Sequence, residues 1–232
     1  MLIAGNIAKI EERIQSACRR AGRDRHEITL MGVTKFVPVD LIEEAFNAGI
    51  RYFGESRVKE AAQKFTDFKN SRPEARLHMI GSLQRNKAKQ ACYLFDCIQS
   101  ADRHELIGEL AKQASLRASP LDILLELHTG EETKSGFENI NELLKAAQTV
   151  LEAGNLRPAG LMTMAPFTAD ANLIRASFRL LVNAQKELLK HFPLKEGEGN
   201  WNCLSMGMSN DFEIAVEEGS TLLRIGSAIF KE

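Results

Sequence analysis

ITLMGVTKFVPVDLIEEAFNAGIRYFGES, residues 28–56, decides the fold. It opens with a nearly continuous apolar run (28–35), passes through a segment whose apolar residues recur at helical spacing, and closes with a second apolar run (51–56). The alternation then repeats through LHMIGS (77–82), CIQSAD (97–102), LDILLELHT (121–129), LRPAGLMTM (156–164), NCLSMGM (202–208) and TLLRIGSAIF (221–230). Strands apolar on both faces and separated by helices imply parallel pairing with both sides of the sheet covered, since a parallel connection needs about a dozen residues or more. Eight such units in 232 residues predict a single α/β domain, 1–232, folded as a (β/α)8 barrel. Ile3, Ile7, Ile10, Ile14 and Cys18 fall at helical spacing and add a helix before the first strand.

The punctuation agrees with this layout. Asp40 with Glu43 and Asp102 with Glu105 have the spacing of capping boxes, and Gly49 and Gly154 stand where helix C-caps fall. Leu143, Ala147 and Val150 define one helical face, and Ile174, Phe178, Leu181 and Leu188 the next, while HFPLKEGEGN (191–200) is a connection to the seventh strand. A doubly wound open sheet is the alternative, but no GxGxxG follows the first strand.

Near-balanced charge (30 basic, 31 acidic, net −1) with 44% hydrophobic residues excludes a disordered chain and a global basic footprint for nucleic acid. No run approaches the roughly 18 apolar residues of a membrane span, and charges interrupt the N-terminus too often for a secretion signal. Cys18, Cys92, Cys97 and Cys203 form no CxxC pair and no zinc spacing. Reduced, buried thiols in a cytoplasmic protein are expected.

In a barrel the chemistry lies where the strands end. Lys35 closes the first apolar run, on the same side as Met31 and Val33 by alternation. A lysine held against an apolar wall loses ammonium solvation, and its neutral amine can condense with an aldehyde. After the seventh run, Ser209 or Asn210 can cap the next helix; in the eighth, Gly226 permits close backbone approach and Ser227 adds a hydroxyl. Loops after strands seven and eight are the usual phosphate site of this architecture. An aldehyde-capturing lysine and a phosphate site on one rim make pyridoxal 5′-phosphate (PLP) the economical ligand.

VTKFVP (33–38), FGES (53–56), LHMIGSLQRNK (77–87), EETKSGF (131–137), GLMTM (160–164) and LSMGMSNDFEIAVEEGSTLLRIGSAIF (204–230) together resemble the pyridoxal phosphate homeostasis protein family, whose members are similar to the barrel domain of bacterial alanine racemase. The resemblance implies that Lys35 carries PLP covalently. It also implies that Ser209, Gly226 and Ser227 hold the phosphate, that Arg224 faces the pyridine nitrogen, and that His78 and Met206 line the cofactor. The family pattern has Asn where this chain has Ser56, an aromatic residue at Leu77 and Thr at Phe36, so any contact through Ser56 is a shorter one.

An arginine at the pyridine nitrogen disfavours its protonation and weakens the electron sink. Alanine racemase adds a second acid/base tyrosine from a further domain, whereas this chain ends at Glu232 with only Tyr52 and Tyr93. The expected function is therefore PLP binding for buffering or delivery to PLP-dependent apoenzymes, without substantial turnover and with neither nucleic acid nor membrane as partner. A small PLP-dependent racemase and a PLP-independent Schiff-base aldolase are the alternatives.

Overall fold

The computed structural model describes residues 2–130 and 135–231, so the first four positions of the EETKSGF motif lie outside the described residues. Helix α1 (Leu2–Ala21) is followed by β1 (Thr29–Val33), α2 (Val39–Asn47), β2 (Tyr52–Glu55), α3 (Val58–Ser71), β3 (Arg76–Met79), α4 (Ala88–Leu94), β4 (Cys97–Ala101) and α5 (His104–Ala114). Then come β5 (Leu121–Glu126), α6 (Ile140–Glu152), β6 (Leu156–Met162), α7 (Ala171–His191), β7 (Cys203–Ser205), α8 (Phe212–Glu217), β8 (Leu222–Ile225) and α9 (Ser227–Phe230). Each strand pairs in parallel with the next, and β1 pairs with β8, so the sheet closes into the expected barrel. The eighth apolar run holds two elements, because β8 stops at Ile225 and Ser227 begins α9.

The main core lies between the barrel and its helices. Phe53 of β2 meets Phe65 and Phe68 of α3 at centroid distances of 5.6 and 5.7 Å. Burying each such ring contributes about 1.5–3 kcal/mol. The apolar stripe of α1 is buried as expected, and Asn6 ties this helix to α9 by donating to the Ile229 carbonyl at 3.0 Å.

The local caps differ from the sequence reading. Helix α2 starts after Pro38, whose fixed φ suits a helix entry, so Asp40 sits inside the first turn and caps nothing. Asp102 pairs with Arg103, and that arginine is the N-cap of α5 with no side-chain capping bond. A capping box does form at Asp24 and Glu27, before β1. Gly49 and Gly154 take positive φ values of 103° and 65°, as helix ends require.

Candidate functional site

A cleft of about 920 Å³ opens over the C-terminal ends of the strands. It is lined by Val33 at the end of β1 and Lys35 after it, Ser56 after β2, Ile80 after β3, Met164 after β6, Met208 and Ser209 after β7, Arg224 on β8, and Gly226 and Ser227 where α9 begins. Six of the eight residues proposed from sequence therefore meet in one cavity: Lys35, Ser56, Ser209, Arg224, Gly226 and Ser227.

Each is positioned by its strand. Lys35 lies in the turn just past β1 and its side chain is exposed at the rim. The desolvation expected from its strand position is thus not present, because two residues beyond the strand the chain has already left the apolar wall. Gly226 backs onto β1, where a Cβ would come within 3.3 Å of Val33 Cβ. Ser227 Oγ donates to Ser209 Oγ at 3.1 Å, and the Ala228 N–H points to the same oxygen at 3.4 Å. Neither Ser209 nor Asn210 caps α8; Asp211 is its N-cap, and the Asp211 carboxylate accepts the Met208 N–H instead.

Arg224 forms the floor. It is 4% exposed; Nη1 donates to the carbonyl and Oγ of Ser205, both at 2.7 Å, and Nη2 to the Thr163 carbonyl at 2.8 Å. Burial pulls its guanidinium down from the ordinary value, with Asp211 and Glu126 opposing. Ser205 Oγ donates to Gln99 Oε1 at 2.6 Å, and Gln99 Nε2 lies 2.8 Å from His78 Nδ1. A buried polar chain thus runs from the cleft floor into the barrel interior.

His78 stands at the far end of that chain, edge-on to Tyr52 at 5.6 Å, and does not line the cleft. Burial pulls it down to about 4, so it is neutral at pH 7, with Nδ1 free to accept from Gln99. Met206 does not line the cleft either: Ser205 turns inward to Arg224, so by alternation Met206 packs into the core between sheet and helices. Sequence reasoning missed Gln99 and Ser205, whose only signal is a polar residue inside an apolar run.

The donor set fits a flat, dianionic aldehyde. Among the described residues, Lys35, Arg224 and Lys231 outnumber the one lining carboxylate, Asp211, which is itself buried and pushed above its ordinary range by that burial. The amine on one side, the hydroxyl pair on an adjacent strand end and the apolar walls suit a ring with an aldehyde and a phosphate. Among the described residues no cluster of three or more His, Cys, Asp or Glu could hold a metal ion, and no helix is long and apolar enough to cross a membrane.

Comparison with known proteins points the same way. The family described as alanine racemase, N-terminal domain, matches residues 6–232. The pyridoxal phosphate homeostasis protein of Aquifex aeolicus is 38% identical over 97% of this chain and 96% of its own length; that of Vibrio cholerae is 37% identical over 99% and 96%. The structure of PipY from Synechococcus elongatus with PLP bound superposes with a TM-score of 0.82 at 29% identity, covering 98% of this chain and 99% of PipY. Alanine racemase from Bacillus anthracis shares the fold alone, with a TM-score of 0.68 at 14% identity over 96% of this chain and 55% of the enzyme. By its motifs, its closed barrel and these relatives, the chain belongs to the alanine racemase N-terminal domain family, among the pyridoxal phosphate homeostasis proteins.

Proposed function

We propose that this chain binds PLP through Lys35 and holds or hands over the cofactor, without substantial turnover of its own. The observation that carries this reading is the cleft that sets the Lys35 amine and the Ser209–Ser227 hydroxyl pair over the Arg224 floor. The names of the curated relatives and the PLP-bound PipY structure support it.

When bound, the cofactor supplies an aldehyde and an electron-accepting ring. Lys35 provides the amine for the covalent link. Ser209 and Ser227 hold the phosphate with neutral hydroxyls, and Ser56 offers a further hydroxyl from the β2 end. Arg224 can only donate hydrogen bonds, so a ring nitrogen set against it is kept as an acceptor, without a proton. That weakens the ring's electron withdrawal and disfavours carbanion chemistry. Neither tyrosine lines the cleft to serve as an opposing acid or base: Tyr52 lies against His78, and Tyr93 is on the outer face of α4. PLP-dependent apoenzymes are the proposed recipients. A reducing, cytoplasmic setting suits four cysteines that are all unpaired.

The test is incubation of the PLP-loaded protein with a panel of L- and D-amino acids, following racemisation, decarboxylation and transamination against Lys35→Ala. A Lys35-dependent rate above about 1 per second, the lower end of ordinary enzyme turnover, would favour a racemase-like enzyme instead.

A further inference from the structure

Lys35 sits in a turn that is gripped from behind by one lysine between two carboxylates. Glu55, at the end of β2, is fully buried; its Oε1 accepts from Thr34 Oγ1 at 2.7 Å and from Lys64 Nζ at 2.8 Å. Lys64, on α3, also donates to the Thr34 carbonyl at 2.8 Å and pairs with Glu60 Oε1 at 2.8 Å. That same Glu60 oxygen accepts the Phe36 backbone N–H at 2.8 Å. Both neighbours of Lys35 are therefore tied to one cluster, Thr34 by its hydroxyl and carbonyl and Phe36 by its amide.

The grip answers a local cost. Phe36 has φ 62°, the left-handed region, which costs a residue with a Cβ roughly 1–2 kcal/mol. Burial does not repay it, since the ring is 72% exposed at the cleft mouth. The cluster is itself an expensive arrangement: Glu55 Oε2 makes no hydrogen bond with the protein, and burial pushes this carboxyl up against the opposing pull of Lys64 and Thr34. A buried ion pair with an unsatisfied oxygen is weak support for stability, which favours a role in fixing geometry.

We infer that Lys64 and Glu60 are positioning residues for Lys35: they hold the strained turn in the one conformation that aims the amine into the cleft, and so set affinity for ligands that bond to it covalently. The inference rests on the PLP reading above. Lys64 is not a spare amine for this chemistry, because its three N–H donors are directed at three oxygens, those of Thr34, Glu55 and Glu60. The covalent link forms when the neutral Lys35 amine adds to the aldehyde carbon and the carbonyl oxygen departs as water with both amine protons.

The test compares PLP with pyridoxamine 5′-phosphate, which keeps the ring and phosphate but has no aldehyde. Glu60→Ala on the partly exposed first turn of α3, and Lys64→Met, should each weaken PLP binding about three- to tenfold, the worth of a lost hydrogen bond, and lower the fraction of PLP that is covalently linked. Pyridoxamine phosphate affinity should stay within about twofold, and Glu60→Gln, which keeps an acceptor for the Phe36 amide, should restore PLP binding. Equal weakening of both ligands would show a merely structural role, and unchanged PLP binding in Glu60→Ala would overturn the inference outright. Lys35→Ala separates the two levels: if it leaves the preference for PLP over pyridoxamine phosphate intact, the PLP reading fails. Loss of that preference in Lys35→Ala with no reduction of it in Glu60→Ala overturns the positioning role alone.

Discussion

Ser227 Oγ donates to Ser209 Oγ across 3.1 Å, joining the loop after β7 to the start of α9. Two hydroxyls that already share a hydrogen bond are pre-arranged to receive one anion together.

The first prediction concerns that pair. A hydrogen bond to a charged group contributes about 1.5–3 kcal/mol, so Ser209→Ala and Ser227→Ala should each weaken PLP binding by roughly one to two decades. Because the two residues touch, the double variant should lose less than the sum of the single losses. Equilibrium titration of the three variants checks this, and full affinity in both single variants would remove the phosphate from this rim.

Lys35 should carry the cofactor. Borohydride reduction of the loaded protein followed by peptide mass mapping is expected to place a pyridoxyl group on Lys35. Lys89, which lies in a separate groove between α3 and α4, should remain unlabelled. A label found mainly on Lys87, Lys89 or Lys134 contradicts the assignment.

The pH dependence of stability should reveal a hidden compensation. Burial pulls His78 from 6.5 to about 4 and pushes Glu126 from 4.5 to about 7. Between pH 4.5 and 6.5 the folded chain holds a proton on Glu126 and none on His78, whereas the unfolded chain does the reverse, so the pair adds no slope. Glu126→Gln leaves His78 alone. The unfolded state then binds more protons, and stability should rise with pH by up to about 1.4 kcal/mol per unit in this window. His78→Asn leaves Glu126 alone, and stability should fall with rising pH by a similar amount. Urea unfolding at several pH values measures both slopes; parallel profiles for wild type and variants would mean that neither group is shifted by folding.

Gly160 should tolerate no side chain. It takes φ 152°, and a Cβ would sit 1.9 Å from the Cys203 carbonyl oxygen, inside the β6–β7 pairing. The obstacle is backbone on both sides, so Gly160→Ala is expected to destabilise the barrel by roughly 4 kcal/mol or more. Thermal unfolding checks it, and a melting temperature near that of the wild type would show that β7 can shift to make room.

The barrel was legible in the alternation of apolar runs and helical patterns, because a parallel strand covered on both faces must be apolar throughout and must be followed by a crossover. That Lys35, Ser209, Gly226 and Ser227 meet at one rim was legible for a related reason: in this architecture the rim is where strands end, and strand ends can be read from composition. The same continuity hid the rest. In a strand buried on both sides, hydrophobicity does not tell which face looks into the barrel, so only the register could turn Ser205 toward Arg224 and send Met206 to the outer core. His78 likewise sits on a strand that points at the site, yet the tertiary structure places it beneath the floor, bonded to Gln99. The clamp of Glu55, Lys64 and Glu60 on the turn around Lys35 joins residues up to 30 positions apart, and no periodicity encodes such a contact. The local pattern of the chain determined which elements form and where they end; which polar groups meet across them was decided only by barrel closure and the packing of α3 against β2.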